Sequence, residues 1–270
     1  MNKDSISDFY SIVENNIGIA LDDSKNYLLE SRLLPLSNKL GYQNINDFIN
    51  YLCRTSIGDA HKQAFEALTT NETMFFRDKH VFDALKNFIL PKIIQNCSKD
   101  KTIRIWCSAV STGQEAYSIA MILREFFPEL SSWNIFIQAT DFSPNILVKA
   151  KSGIYTQSEI NRGLDPYFLQ KYFTKKDKDS YQINSSIREM VSFLPHNLVD
   201  IWPFYPKFEL VMLRNVLIYF SQETKNKVLN RTHKHLSSEG VLILGAAESI
   251  YLNPLFKLTQ LDKISYYSAS

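Results

Sequence analysis

Charge of a single sign is missing from this chain: 30 Lys and Arg stand against 28 Asp and Glu, a formal net charge of +2. That near balance removes the electrostatic footprint of a general nucleic-acid binder. Long apolar runs are missing too, and none reaches the roughly 20 residues of a membrane-spanning helix. The opening residues, MNKDSISDFY, lack the apolar block of a signal peptide. A cytoplasmic protein without membrane insertion is therefore expected. Cysteine is scarce, odd in number and widely spaced, at Cys53, Cys97 and Cys107. This excludes a disulfide framework and fits a reducing compartment, with Cys107 and Cys53 expected as buried thiols. The histidines, His61, His80, His196, His233 and His235, show neither metal-ligand spacing nor a nucleophile partner, so no metal site is expected. Repeats and low-complexity segments are not evident.

What is present is enough apolar content, 45% over 270 residues, for one large domain and one smaller one. Residues 1–68 carry only helical periodicity: Phe9, Ile12, Val13 and Ile17, then Tyr27 to Leu34, then Phe48, Ile49 and Leu52, then Ala64, Phe65 and Leu68. A small all-α domain over 1–70 is expected. From 101 onward, apolar runs alternate with helical segments, which argues for a parallel sheet with helices on its faces over 71–270. Residues 154–190 break the alternation. They read as a helical piece and short antiparallel strands inserted into the main domain, with the charged tract Lys175 to Asp179 as a solvated hairpin tip. Lys257 to Tyr267 has room for two short antiparallel strands.

The stretch IRIWCSAVSTGQEAYSIAMIL, 103–123, reads as strand, tight turn and helix, the opening unit of a nucleotide-binding α/β domain. Its small residues let backbone approach a ligand, and the helix start offers unpaired N–H groups. Ser111 and Ala116 replace two of the three glycines of the dinucleotide fingerprint, so an adenosine-type ligand is suggested without a call for pyrophosphate. Ile135 to Ala139 reads as the next strand. Asp141 stands at its carboxyl end, where a ribose's hydroxyls are held, and Ser143 and Pro144 open the following helix.

Three more segments carry polar groups in apolar surroundings: NETMFFRD at 71–78, HNLVD at 196–200 and RNVLIYF at 214–220. Each has a plain structural explanation. Asn71 and Thr73 could cap a helix, Arg77 could pair with Asp78 or Glu72, and Tyr219 could be a core aromatic. Arg214 and Asn215, however, follow directly on the strand FELVML, at the end where open α/β sheets bind ligands.

Taken in order, N-x-T-x-F-F-R, S-T-G-x-E-x-Y-S, A-T-D, N-L and R-N-V-x-I-Y-F resemble the chemotaxis receptor methyltransferases, the CheR family, over nearly the whole chain. The resemblance implies a Rossmann-like class I S-adenosylmethionine-dependent methyltransferase domain with a small β-subdomain insert, preceded by an all-α N-terminal domain. It implies transfer of methyl from S-adenosylmethionine to glutamate side chains of bacterial chemoreceptors, a protein-glutamate O-methyltransferase of EC 2.1.1.80 type, with S-adenosylhomocysteine as product. Asn71, Thr73 and Arg77 would then line the cofactor pocket, with Arg77 facing the reacting groups. Glu115 would bind a polar part of the cofactor, Asp141 its ribose, and Asn197 and Leu198 would bracket the adenine. Arg214, Asn215 and Tyr219 would lie near the sulfonium and the incoming glutamate. The catalytic set implied is Arg77, Tyr219 and Arg214. The implied partner is the cytoplasmic domain of methyl-accepting chemotaxis receptors, met by a monomer.

The chain departs from that pattern in places. Gln114 stands where the family often has Glu, and Ala116 replaces a frequent Pro. The second N-terminal helix, KNYLLESRLLPLSNKL, keeps Lys25, Arg32 and Lys39, but Pro35 should kink or end it. Residues 174–186 lack the glycine of hairpin loops that grip a receptor's C-terminal pentapeptide, so independence of that tail is expected. Two other functions compete. A nicotinamide oxidoreductase is disfavoured by the degenerate turn. A non-catalytic S-adenosylmethionine-binding scaffold would tolerate loss of Arg77 and Tyr219, and both are present.

Overall fold

The computed structural model describes residues 3–250, 253–261 and 264–270. Two compact units emerge. The first takes the described residues through Asn71 together with Asn197–Ile201 and Tyr219–Val228. The second takes Glu72–His196, Trp202–Ile218 and the described part of Leu229–Ser270.

The first unit is helical. Helices Lys3–Ile17, Ile45–Arg54 and Asp59–Leu68 flank the helical backbone of Asn26–Leu28, Leu29–Leu33 and Leu34–Lys39. Phe9, Val13, Leu29, Leu33, Phe48 and Leu52 are fully buried, as their helical spacing requires. Local polar signals set the helix starts. The Asp22 carboxylate accepts from Ser24 N at 2.9 Å, and the Asn44 side chain accepts from Asp47 N at 3.0 Å. Buried His61 plays the same part by another route. Its Nδ1 accepts from Gly58 N at 3.2 Å while Nε2 donates to Leu52 O at 2.8 Å. Those two partners require the neutral ring with its hydrogen on Nε2.

Pro35 does not end the second helix. The turn before it widens, so that Leu34 N–H reaches back five residues to Leu29 O. A proline ring clashes with the carbonyl four residues earlier, and one wider turn moves that carbonyl aside. The second unit repeats the device: Leu90 N–H bonds Leu85 O, and Pro91 follows inside helix Leu90–Asn96.

The second unit is built on strands β1 (Thr102–Ser108), β2 (Asn134–Asp141), β3 (Ile154–Thr156), β4 (Phe173–Lys175), β5 (Ser180–Ile183), β6 (Val191–Pro195), β7 (Phe208–Leu213), β8 (Leu236–Leu244), β9 (Phe256–Leu261) and β10 (Ile264–Ala269). Among the described residues, one sheet runs β6-β2-β1-β7-β8-β10-β9. Its first five strands are parallel, and β10 pairs antiparallel with both β8 and β9. Helices Gln114–Phe126 and Pro144–Ser152 make the first crossovers. The core strands read as near-continuous apolar runs because both faces are covered: Ile103, Ile105, Trp106 and Cys107 are all fully buried. Trp106 keeps its indole N–H satisfied inside the core by donating to Thr140 Oγ1 at 2.9 Å. The C-terminal antiparallel pair matches the sequence expectation; residues 262–263 between its strands lie outside the described set.

The interruption at 154–190 forms a second sheet, β3-β5-β4, all antiparallel. The short β3 was not anticipated, since three residues carry no readable period. Helix Pro166–Tyr172 is tied to helix Gln114–Phe126 through Glu125, whose carboxylate accepts from Tyr167 Oη, Lys171 Nζ and Tyr172 Oη. Burial works against that carboxylate's charge, but the bonds from Lys171 and the two tyrosines prevail and bring it down to about 2. The charged tract is a hairpin tip, as expected. Asp177 accepts from Asp179 N at 2.9 Å and from Ser180 Oγ at 2.6 Å. Cys107 is buried, but Cys53 is only half-buried and donates to Ser5 O at 3.3 Å.

Candidate active site

In the second unit, parallel pairing brings four strand ends to one edge. Ser108 of β1 is level with Thr140 of β2 and with Leu213 of β7, and Leu213 is level with Leu244 of β8. The residues at or just after each strand end are therefore neighbours: the turn 109–113, Asp141 at the last position of β2, Arg214 with Asn215, and Gly245 to Glu248. This carboxyl edge is where an open α/β sheet takes its ligand.

The backbone is strained there. Six described residues other than glycine have left-handed φ: Phe76, Asp78, Lys101, Ala109, Ser111 and Asn215. All but Lys101 fall in segments singled out for polar chemistry. Such conformations cost of the order of 1–3 kcal/mol each and gather where function requires them. Gly113 (φ 94) caps helix Gln114–Phe126, and a Cβ on it would meet Ala150 Cβ at 3.1 Å and Phe193 Cζ at 3.2 Å.

Arg214 is the hub. Its side chain is 1% exposed, with Nη1 donating to Glu115 Oε2 at 2.8 Å and Nη2 to Asp78 Oδ2 at 2.6 Å. A third bond runs from Nη2 to Arg77 O at 3.1 Å. So the strand-end arginine ties together two other motifs, one at the start of helix Gln114–Phe126 and one at 71–78. Burial pushes the Glu115 carboxyl up, and the facing Arg214 charge opposes that shift. Asp78 is a full member of this network, although its sequence reading went no further than a pairing choice for Arg77. Arg77 instead donates Nη1 to Glu72 O at 2.8 Å and is half-buried.

Asp141, 8% exposed, joins two turns. Its Oδ2 accepts from Ser111 N at 2.8 Å and its Oδ1 from Ser143 N at 3.1 Å, while its carbonyl accepts from His196 N at 2.9 Å. A carboxylate offers about four acceptor positions and can accept from several donors at once. Ser143 caps helix Pro144–Ser152 as expected. Gln114 is buried and accepts from Thr112 Oγ1 at 2.7 Å. Thr73 is half-buried in the same unit.

The other expected site residues belong to the first unit. Asn71 is exposed and donates to Thr69 Oγ1 at 3.1 Å. Asn197 donates Nδ2 to Asn16 O at 2.7 Å and Oδ1 accepts from Val199 N at 3.3 Å, so it also braces its own loop. Leu198 is 6% exposed. Tyr219 is half-buried, and its carbonyl accepts from Ala20 N at 2.9 Å. Of the basic residues on the second helix, Arg32 donates to Leu68 O, Thr69 O and Thr70 Oγ1, and Lys25 donates to Ala20 O. Lys39 is exposed.

The edge suits an adenosyl sulfonium ligand. Two buried polar atoms on it, Ser108 Oγ and Arg214 Nε, have no hydrogen-bond partner among the described residues. Buried polar groups are nearly always paired, and a polar ligand at this edge could supply the missing partners. Acceptors for hydroxyl and ammonium groups stand nearby on Asp141 and Glu115. Parallel sheet, degenerate glycine turn and acid after the second strand define a Rossmann-like S-adenosylmethionine-dependent methyltransferase.

Comparison with known proteins makes the assignment particular. Residues 71–264 match the family described as CheR methyltransferase, SAM binding domain, and residues 4–69 match CheR methyltransferase, all-alpha domain. The chain belongs to the CheR methyltransferase family. It is 36% identical over 254 residues to a chemotaxis protein methyltransferase of Borreliella burgdorferi, covering 93% of this chain and 89% of that protein. It is 38% identical over 246 residues to chemotaxis protein methyltransferase 1 of Pseudomonas aeruginosa, covering 90% and 89%.

Proposed function

We propose that this protein transfers methyl from S-adenosylmethionine to glutamate side-chain carboxylates in the cytoplasmic domain of chemoreceptors, acting as a monomer in the cytoplasm. The observation that supports the reading best is the Arg214 hub. One buried guanidinium joins three of the family's motifs at the sheet's carboxyl edge and still holds an N–H without a partner among the described residues. S-Adenosylmethionine, when bound, supplies a methyl carbon whose bond to sulfur breaks as a carboxylate oxygen attacks it, leaving S-adenosylhomocysteine.

The chain's own residues have a limited task. Glutamate has a reference pKa of about 4.3 and is already ionised at neutral pH, so no general base is needed. Alignment of the acceptor supplies several kcal/mol, with roughly 7–11 as the upper range. Arg77 orients the acceptor carboxylate, since a guanidinium binds that shape with two donors and, among the described residues, the hydrogen bond it makes uses Nη1. Asp141 takes the ribose hydroxyls. Arg214, Asn215, Glu115 and Thr73 hold the polar end of the donor. Asn71, Asn197, Leu198 and Tyr219 keep the roles their motifs imply: pocket lining, adenine contact and, for Tyr219, one hydrogen bond near the reacting groups.

The receptor is recognised without its C-terminal pentapeptide. The hairpin tip of the small sheet is closed on itself by Asp177, is charged and is short. These features discourage a peptide from adding as a strand. Docking falls to the helical unit, with a modest, salt-sensitive contribution from exposed Lys39. The test is incubation with labelled S-adenosylmethionine and the host's membrane fraction. Base-labile methyl esters are expected on intact and tail-truncated receptors alike. No label would refute the function, and label lost only on truncation would refute tail independence.

A further inference from the structure

A single carboxylate outside every motif already described controls the loop after β7. Glu248 Oε2 accepts from Asn215 N at 2.7 Å and from Gly245 N at 2.8 Å. Its Oε1 accepts from Val216 N at 2.9 Å and from Ile218 N at 3.2 Å. Four backbone donors thus converge on one side chain. The loop begins with Asn215 in the left-handed region at φ 59, and the pairing of β7 with β8 ends at Leu213.

Two further observations show that the contact is built in. A turn with Glu248 N on Gly245 O, at 2.9 Å, folds the carboxylate back over its own strand end. Gly245 is also the residue that permits the approach: a Cβ there would lie 2.7 Å from Asn215 Nδ2, 2.8 Å from Glu248 Oε2 and 2.9 Å from Asn215 N. A side chain at 245 would push the clamp apart.

We infer that Glu248 is a positioning residue of the methyl-donor site: its carboxylate clamps the backbone of 215–218 and so fixes Arg214 and Asn215 at the end of β7. This rests on the proposed function for the place of Arg214 and Asn215 in the site, but the clamp itself is a property of the backbone. Charge matters to it. Hydrogen bonds to an ionised acceptor are about twice as strong as neutral ones, and here they meet N–H groups whose loss of partners is costly. Glu248→Gln keeps one acceptor oxygen and turns an NH2 toward two N–H donors. Glu248→Asp keeps the charge with a shorter reach.

Amide hydrogen exchange and S-adenosylhomocysteine titration on the full chain test this together. In E248Q, exchange in a peptide spanning 214–218 should quicken by about tenfold or more, while a β2 peptide stays as in the parent protein. The product's Kd should rise by a similar factor, kcat/KM should fall with it, and E248D should recover part of both. Parent-like protection of 214–218 in E248Q would overturn the clamp. Faster exchange with unchanged Kd and kcat/KM would overturn the positioning role. Should E248Q not fold, E248D decides by the same readouts. A parent protein that fails to bind the product would refute the proposed function, and exchange would still judge the clamp.

Discussion

Replacing Arg214 by methionine removes the charge at the hub and keeps much of the side-chain volume. The Arg214 side chain is 1% exposed and the Glu115 side chain 12% exposed, so the abandoned Glu115 carboxylate has little access to water. Asp78, at 28% exposed, can be rehydrated more readily. Breaking a buried pair by removing one partner costs about 3–5 kcal/mol, mostly as an uncompensated buried charge. In a unit of this size that corresponds to a fall in Tm of the order of 10 °C. The sign with pH follows from Glu115. Burial already raises its carboxyl, and loss of the Arg214 charge removes the opposing effect. A carboxyl raised in the folded state keeps its proton when folded and gives it up when unfolded. Arg214→Met should therefore lose further stability as pH rises above the ordinary carboxyl value and regain it as pH falls back toward that value. Thermal and urea unfolding of Arg214→Met, Glu115→Gln and the double variant, at two pH values, measures this. The double variant should recover about half or more of the loss, because no buried charge is left behind. A cost below about 1 kcal/mol for Arg214→Met, or a double variant no better than the single one, would refute the account of the hub.

Asp141→Ala should weaken S-adenosylhomocysteine binding by about tenfold or more, read by calorimetric titration; unchanged binding would refute the ribose assignment. Arg77→Ala and Tyr219→Phe should lower methyl transfer at saturating donor and receptor while the Tm moves by no more than a few degrees; unaltered turnover in both would remove them from the catalytic set. Glu125→Gln should flatten the acid side of the stability curve. The Glu125 carboxyl sits at about 2 when folded against its usual 4.5, so it contributes above the usual value and loses that contribution as pH falls from there toward 2. Unfolding curves that keep the parent's acid slope in Glu125→Gln would contradict the assignment.

Local signals carried much of the fold. The strand, turn and helix of 103–123, the acid at 141 and the Ser143 cap are short-range features whose chemistry can be read residue by residue. The same holds for the C-terminal strand pair and the hairpin tip. Other features depend on residues far apart in sequence. Nothing near Asp78 announces that it will meet Arg214, 136 residues away. Glu248 follows Gly245, Ala246 and Ala247, and nothing in that stretch announces that four backbone N–H groups, three of them at 215–218, will converge on its carboxylate. Left-handed backbone at Phe76, Asp78, Ala109, Ser111 and Asn215 has no sequence sign, because it occurs here without glycine. Arg32, one of the basic residues on the second helix, donates to the carbonyls of Leu68 and Thr69, far along the chain, which its local sequence does not announce. Pro35 looked like a helix end, and the wider turn that accommodates it is a backbone adjustment that residue preferences do not encode.

The central claim is that the carboxyl edge of the parallel sheet is a site for an adenosyl sulfonium and not for a dinucleotide. Isothermal titration of the intact protein with S-adenosylhomocysteine, and separately with NAD, tests it most directly. The account expects saturable one-to-one binding of S-adenosylhomocysteine and none of NAD. Absent binding of S-adenosylhomocysteine, or binding of NAD of equal strength, would contradict it.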